Sequence, residues 1–284
     1  MLKMYFDENI NGFKGILLLA FIALLFFLGL YTPWIYFKRT YIISFDDKRL
    51  KFKSVFDYFE LTWNEIEKIR ITGKVYFRYI IPYPMEGTVI KTKDREIILY
   101  DMFFVKPHLI KYALHTFYKT KKFPDDFNDK PVKSSETRFE KFNIFKGSVI
   151  FSFRGILTWG LIIFFFILPL LNPPKSNSPW IALIIIGTLW LLANTLFMHY
   201  FGLSDKYLVI RNHLNPLKNK VYRLDDIKEV VYETRDKWPN CLRVITKKYH
   251  SKLYGAGTLR DKTWLNMKEH FESNKIKVRN ECIY

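Results

Sequence analysis

Three uncharged apolar stretches divide this chain: Gly15 to Phe37, Gly155 to Leu171 and Trp180 to Phe201. A helix rises about 1.5 Å per residue against a hydrocarbon core about 30 Å thick, so roughly 20 apolar residues span it. The pattern predicts an integral membrane protein with transmembrane helices over 15–37, 151–171 and 180–201. The second is the shortest, and a helix that starts early enough to lengthen it makes Arg154 snorkel. The first exceeds the hydrophobic region of a secretory signal and runs straight into Trp34–Arg39. No small-x-small cleavage pattern precedes that segment, which reads as an uncleaved anchor.

The formal charge is +18. Lys and Arg accumulate in cytoplasmic loops because they are hard to translocate. Lys38 and Arg39 follow the first span, Lys141, Lys146 and Arg154 precede the second, and Lys206, Arg211, Lys218 and Lys220 follow the third. The loop 172–179 holds one Lys, and in the tail 1–14 Lys3 and Lys14 offset Asp7 and Glu8. The expectation is an outward tail and loop, with the soluble modules in the cytosol. Spans two and three form a hairpin, which puts both modules on one side whatever the charges. Tyr31, Trp34, Tyr36, Trp180 and Tyr200 stand where amphipathic rings favour the interface. Abundant Lys, Ile, Phe and Asn fit an AT-rich bacterial genome, hence a bacterial cytoplasmic (inner) membrane.

Asn194 and His199 fall in the third span and Pro169 late in the second. Asn194 reads as an interhelical hydrogen-bonding residue, with Gly160 and Gly187 allowing close approach, rather than as part of a substrate path. His199 reads as interfacial.

The soluble parts, expected over 38–120 and 202–284, resemble each other. Asp47-Lys48-Arg49-Leu50-Lys51-Phe52 matches Asp205-Lys206-Tyr207-Leu208-Val209-Ile210. Trp63-Asn64-Glu65-Ile66 matches Leu224-Asp225-Asp226-Ile227, with three more residues between the blocks in the second copy. Val89-Ile90-Lys91-Thr92-Lys93 is set against Val244-Ile245-Thr246-Lys247-Lys248. Asp-Lys before alternating residues is a turn feeding a strand. Thr88 to Tyr100 reads as a hairpin turning at Lys93-Asp94. Leu109, Tyr112, Ala113 and Phe117, and again Trp264, Met267 and Phe271, have helical spacing. Residues 121–150 read as a linker and juxtamembrane segment, with Phe139, Phe142, Ile144 and Phe145 lying along the interface or extending the next helix.

This order resembles the bacterial pleckstrin-homology-like domain. The resemblance rests on a span entering the module, turn and strands, the polar-apolar-acidic-Ile motif at Trp63–Ile66 and Leu224–Ile227, a hairpin and a closing helix. It implies a membrane α-helical plus α+β fold: three transmembrane helices and two small modules, each a bent antiparallel sheet capped by a C-terminal helix. It also implies a non-catalytic binding or scaffold protein. The partner is an unidentified protein, a second copy or anionic lipid. The alternative is a subunit of a membrane transporter or membrane enzyme.

No GxSxG, HExxH or Walker pattern is present, so no catalytic residue is assigned. Gly255-Ala256-Gly257-Thr258 lacks the third glycine and the βαβ setting of a phosphate-binding turn and reads as a plain turn. Asp125, Asp126 and Asp129 lack the Gly and terminal Glu of a calcium loop. Cys241 and Cys282 form no CxxC pair and read as reduced thiols. Neither a metal nor a cofactor is expected. Nucleic acid is not expected as a partner either, since topology accounts for much of the basic charge and Lys74–Tyr79 equally describes a strand. The candidate site is a set of lipid-headgroup cations near the cytosolic leaflet: Lys38, Arg39, Lys119, Lys121, Lys122, Lys141 and Lys146. Each contributes roughly 1 kcal/mol near an anionic surface.

Overall fold

The structure is a computed structural model that describes residues 13–77, 82–129, 132, 134–171, 178–215, 219–234 and 239–284. The expected tail 1–14 and loop 172–179 fall outside these, except at residues 13–14 and 178–179. Lys218, Arg78 and Tyr79 lie outside as well. The chain is α+β with several antiparallel sheets, and it divides into two compact units that meet in sequence at Asp125 and Asp126.

Unit 1 opens with α1 (Phe13–Arg39), whose last turn carries Lys38 and Arg39. β1 (Ile42–Phe45), β2 (Arg49–Lys53) and β3 (Tyr58–Thr62) form an antiparallel meander. The Asp46 carboxylate starts it by accepting from the amides of Lys48 and Arg49, both at 2.8 Å. These bonds to the charged form hold the exposed carboxyl below its usual pKa. Alternation sends Leu50 and Phe52 of β2 fully inward. A 3-10 turn (Trp63–Glu65) follows, its Glu65 carboxylate accepting from the Thr62 amide at 2.7 Å. β4 (Ile66–Arg70) and β5 (Lys74–Phe77) both pair with the long β6 (Tyr83–Thr92), whose other side takes β7 (Glu96–Tyr100). The break between β4 and β5 is made by Gly73 at φ 136, a conformation open to glycine. α2 (Pro107–Thr120) closes the unit, burying Ala113, Leu114 and Phe117, with Leu109 and Tyr112 half-buried. Lys111 is buried too, its ammonium 2.6 Å from the Asp101 carboxylate.

Unit 2 repeats the order and adds to it. β9 (His199–Leu203), β10 (Tyr207–Asn212) and β11 (Lys220–Arg223) form the meander. Here the Ser204 hydroxyl accepts from the Tyr207 amide at 3.0 Å, in the place of Asp46. A 3-10 turn (Leu224–Asp226) leads to β12 (Ile227–Thr234), β13 (Asn240–Thr246), β14 (Ser251–Gly255) and α6 (Asp261–Ser273). Both units carry a bulge just after the 3-10 turn: Ile66 faces Thr92 and Lys68 faces Lys91, while Ile227 faces Thr246 and Glu229 faces Ile245. The ladders therefore set Thr92 against Thr246 and Ile90 against Val244. This shifts the expected match of Val89–Lys93 with Val244–Lys248 by one residue, a step that turns every side chain to the other face.

Three differences from expectation concern the apolar stretches, the linker and the end of unit 2. Among the described residues, only α1 contains a helix long and apolar enough to cross a membrane, Gly15–Arg39; three transmembrane helices are not supported. The second stretch begins with α3 (Phe153–Ile162), passes through π-helical residues Ile163–Ile167 and ends in α4 (Leu168–Leu171); its apolar helix is counted over Phe153–Ile167. The third stretch forms α5 (Ser178–Thr195), an apolar helix over Trp180–Thr195, and there it stops. The following residues turn into β9, where Phe201 and Leu203 alternate into a core. An alternating strand directly after a helix supplies an apolar run that length alone misreads as more helix.

The segment 121–150 is the second point. Residues 143–145 form β8 (Asn143–Phe145), antiparallel to β9, and Phe145 is buried. Upstream of it, acidic residues fasten this segment to the rest of unit 2. Asp126 pairs with Lys248 at 2.9 Å, Asp129 takes the Thr246 hydroxyl at 3.2 Å, Glu136 pairs with Arg223 at 2.8 Å and Glu140 approaches Lys206 at 3.8 Å. Third, unit 2 does not end on its helix: β15 (Lys277–Asn280) returns to pair in parallel with β12.

Candidate functional site

The cations expected at the leaflet fall into separate groups. Lys38 and Arg39, at the end of α1, line a cleft of about 310 Å³ with Tyr41, Phe59, Arg95 and Tyr100. Asp57 and Glu96 also border it, so three cations face two carboxylates. Arg39 donates to the Tyr100 hydroxyl at 3.3 Å, and its guanidinium stands 5.2 Å from the centre of the Phe77 ring. Tyr100 in turn donates to the Tyr76 carbonyl at 3.2 Å. Arg95 lies 4.2 Å over Phe59. Phe59 stacks on Phe52 at 4.9 Å and meets Tyr41 edge-on at 5.8 Å. Aromatic rings thus lie against both guanidinium groups without neutralising them; one Arg39 N–H goes to Tyr100, and the others can meet an anion. Burial pushes the Tyr41 hydroxyl up and the Asp57 charge adds to it, against the pull of Arg39 and Arg95.

Arg95 is not among the cations that the sequence singles out. It follows Lys93-Asp94 in the hairpin turn, and nothing in its spacing separates it from an ordinary turn residue. Lys119, Lys121 and Lys122 do not line this cleft. Lys119 and Lys122 are exposed at the end of α2, and Lys121 caps the helix in the left-handed conformation, φ 57. Lys141 is exposed ahead of β8, and Lys146, just after it, lines a second cleft against α6.

The base of the apolar helices in unit 2 is polar and tightly packed. Asn194 is fully buried, with its Oδ1 3.1 Å from the Thr158 hydroxyl of α3 and its Nδ2 donating to the Trp190 carbonyl at 2.8 Å. Gly187 admits the Phe166 ring, whereas Gly160 faces open space. Arg154 does not extend into solvent from the start of α3: its guanidinium lies 4.5 Å over Phe197, and its Nε is buried without a hydrogen-bond partner. His199 sits in β9, Nδ1 3.0 Å from the Gly255 carbonyl. The Gly255–Thr258 turn packs on this base, with the Gly257 amide donating to the Phe197 carbonyl at 2.8 Å. Among the described residues no group of three His, Cys, Asp or Glu is placed to hold a metal.

The chain matches no family model, and no curated protein matches its sequence.

Proposed function

We propose that this chain is a membrane-anchored, non-catalytic binding protein of the pleckstrin-homology-like type, and that unit 1 holds the headgroup of an anionic lipid. On this reading both units face the cytosol, and the apolar helices of unit 2 sit in or against the same bilayer. The carrying observation is the position of the cleft: Lys38, Arg39 and Arg95 converge where the apolar helix ends. A headgroup phosphate lies at that depth when α1 spans the bilayer, and planar guanidinium groups match its oxygens.

The attachment of α1 to the module supports an uncleaved anchor. Ile35 is buried in a core with Val75, Phe77, Val89 and Tyr100, and Tyr31 packs against the same group. Cleavage after the apolar stretch removes part of that core. The shared order of meander, 3-10 turn, bulged strand, hairpin and helix supports the family reading.

The test is lipid retention by the full-length protein. Extracted from membranes and offered an equimolar mixture of phosphatidylglycerol and phosphatidylcholine, the wild type retains phosphatidylglycerol in native mass spectra. The triple variant K38Q/R39Q/R95Q loses that preference by roughly tenfold or more, given about 1 kcal/mol per cation. Equal retention by the two proteins overturns the proposal.

A further inference from the structure

Unit 2 carries a second cleft, of about 580 Å³, between β8 and the start of α6. Its polar lining consists of Lys146, Arg260, Lys262, Thr263, Asn266, His270 and Asn143, and no carboxylate is among the lining residues. Several cations elsewhere in unit 2 do have a carboxylate beside them: Arg223 is paired with Glu136, Arg243 with Glu233, Lys248 with Asp126 and Lys277 with Glu229. Lys146, Arg260 and Lys262 make no ion pair among the described residues. Like charges brought together around a concave surface repel one another unless an anion joins them.

The arrangement is held from beneath. Phe145 is buried in the unit 2 core and meets the His270 ring edge-on at 5.4 Å. Gly147 presses against the other wall: a Cβ there would lie 1.7 Å from the Thr258 carbonyl oxygen, a contact only glycine permits. Two backbone segments distant in sequence are thereby fixed across the opening, with Lys146 on one side and Arg260 on the other. The hydroxyl of Thr263 and the amide of Asn266 add neutral donors to the cationic ones.

We propose that this cleft is a binding site for a phosphate-bearing anion, with Lys146, Arg260 and Lys262 supplying the charge and Thr263, Asn266 and His270 the directed hydrogen bonds. The site shares no lining residue with the unit 1 cleft, and the inference does not rest on that cleft. The same phosphate chemistry is offered by a lipid headgroup and by a free phosphate ester, and one experiment separates the two.

The full-length protein is placed in phosphatidylcholine nanodiscs, and amide hydrogen exchange is followed over 143–147 and 260–266. One arm adds inorganic phosphate against chloride at matched ionic strength. The other replaces part of the phosphatidylcholine with phosphatidylglycerol. Slowing of exchange by at least about threefold in these two segments is expected in one arm, and the arm identifies the source. R260Q/K262Q, which alters exposed side chains only, abolishes the slowing, whereas K38Q/R39Q/R95Q retains it. The inference is overturned if neither arm slows exchange, or if the slowing survives in R260Q/K262Q.

Discussion

The two units run through the same elements but complete their cores from different sources. Unit 1 borrows from α1: Ile35, together with the half-buried Tyr31, lies against β5, β6 and β7. Unit 2 relies on strands of its own. β8 extends one sheet, β15 seals the other, and Trp264 stands fully buried between Tyr232 at 4.8 Å and Phe201 at 5.7 Å. Burial with its hydroxyl unmatched pushes the Tyr232 phenol well above its usual range. A module with its own closing strands can be stable by itself. A module completed by an anchor helix ties its folding to that helix.

The largest effect expected from this contrast is at Trp264. Trp264→Ala removes about 3–5 kcal/mol from unit 2, as emptying a well-packed aromatic site does. In the full-length protein, hydrogen exchange over β12 and β13 accelerates to match, while that over β6 and β7 stays as in wild type. Ile35→Ala gives the converse, about 2–4 kcal/mol lost from unit 1 alone. If Ile35→Ala leaves exchange in β5 to β7 unchanged, the dependence of unit 1 on its anchor is wrong. Gly147→Ala forces a methyl into the Thr258 carbonyl and costs about 1–3 kcal/mol. That loss is expected to concentrate in β8 and the start of α6, without reaching β15.

The smallest effect is pH-dependent. Burial, with help from the Lys146 charge, holds the His213 imidazole below its usual pKa of 6.5. A folded pKa below the unfolded one means that the unfolded chain binds more protons as pH falls. Stability of unit 2 is therefore complete above about pH 6.5 and declines as pH falls from there towards the folded value. Urea unfolding of wild type and His213→Gln at pH 7.5 and pH 5.5 measures it, with the wild type losing more on acidification. Equal loss in the two proteins removes His213 from the account.

Much of the strand order was legible because turn chemistry and alternation are local. Asp47-Lys48 and Asp205-Lys206 announce the first hairpin of each unit, although the side chains that accept the turn amides are those of Asp46 and Ser204; Glu65 and Asp226 stand just before buried Ile66 and Ile227. What failed were the places where two local patterns meet. After Thr195 an apolar helix hands over to an alternating strand, and hydropathy continues smoothly across the change. β8 has three residues, too few for any period to register. β15 is half-exposed, with its role set by parallel pairing to a strand far upstream. The candidate site was half legible. Lys38, Arg39 and Lys146 stand beside apolar segments and drew attention for that reason. Arg95, Arg260, Lys262 and His270 reach their clefts only through folding, and no spacing in the chain links them.

The paired bulges at Ile66 and Ile227 bear on how much change such a module tolerates. Between the opening turn and the bulge, unit 2 is longer by three residues (Ser204 to Ile227 against Asp46 to Ile66), and its following hairpin is longer by one. Neither addition disturbs the ladder: the irregularity stands at the same point in both units, and the loops before and after it differ in length. Engineered insertions at 54–57 or 93–94 should be absorbed in the same way. A single residue added or removed between Trp63 and Lys68 has no slack to use and would turn the hairpin inside out.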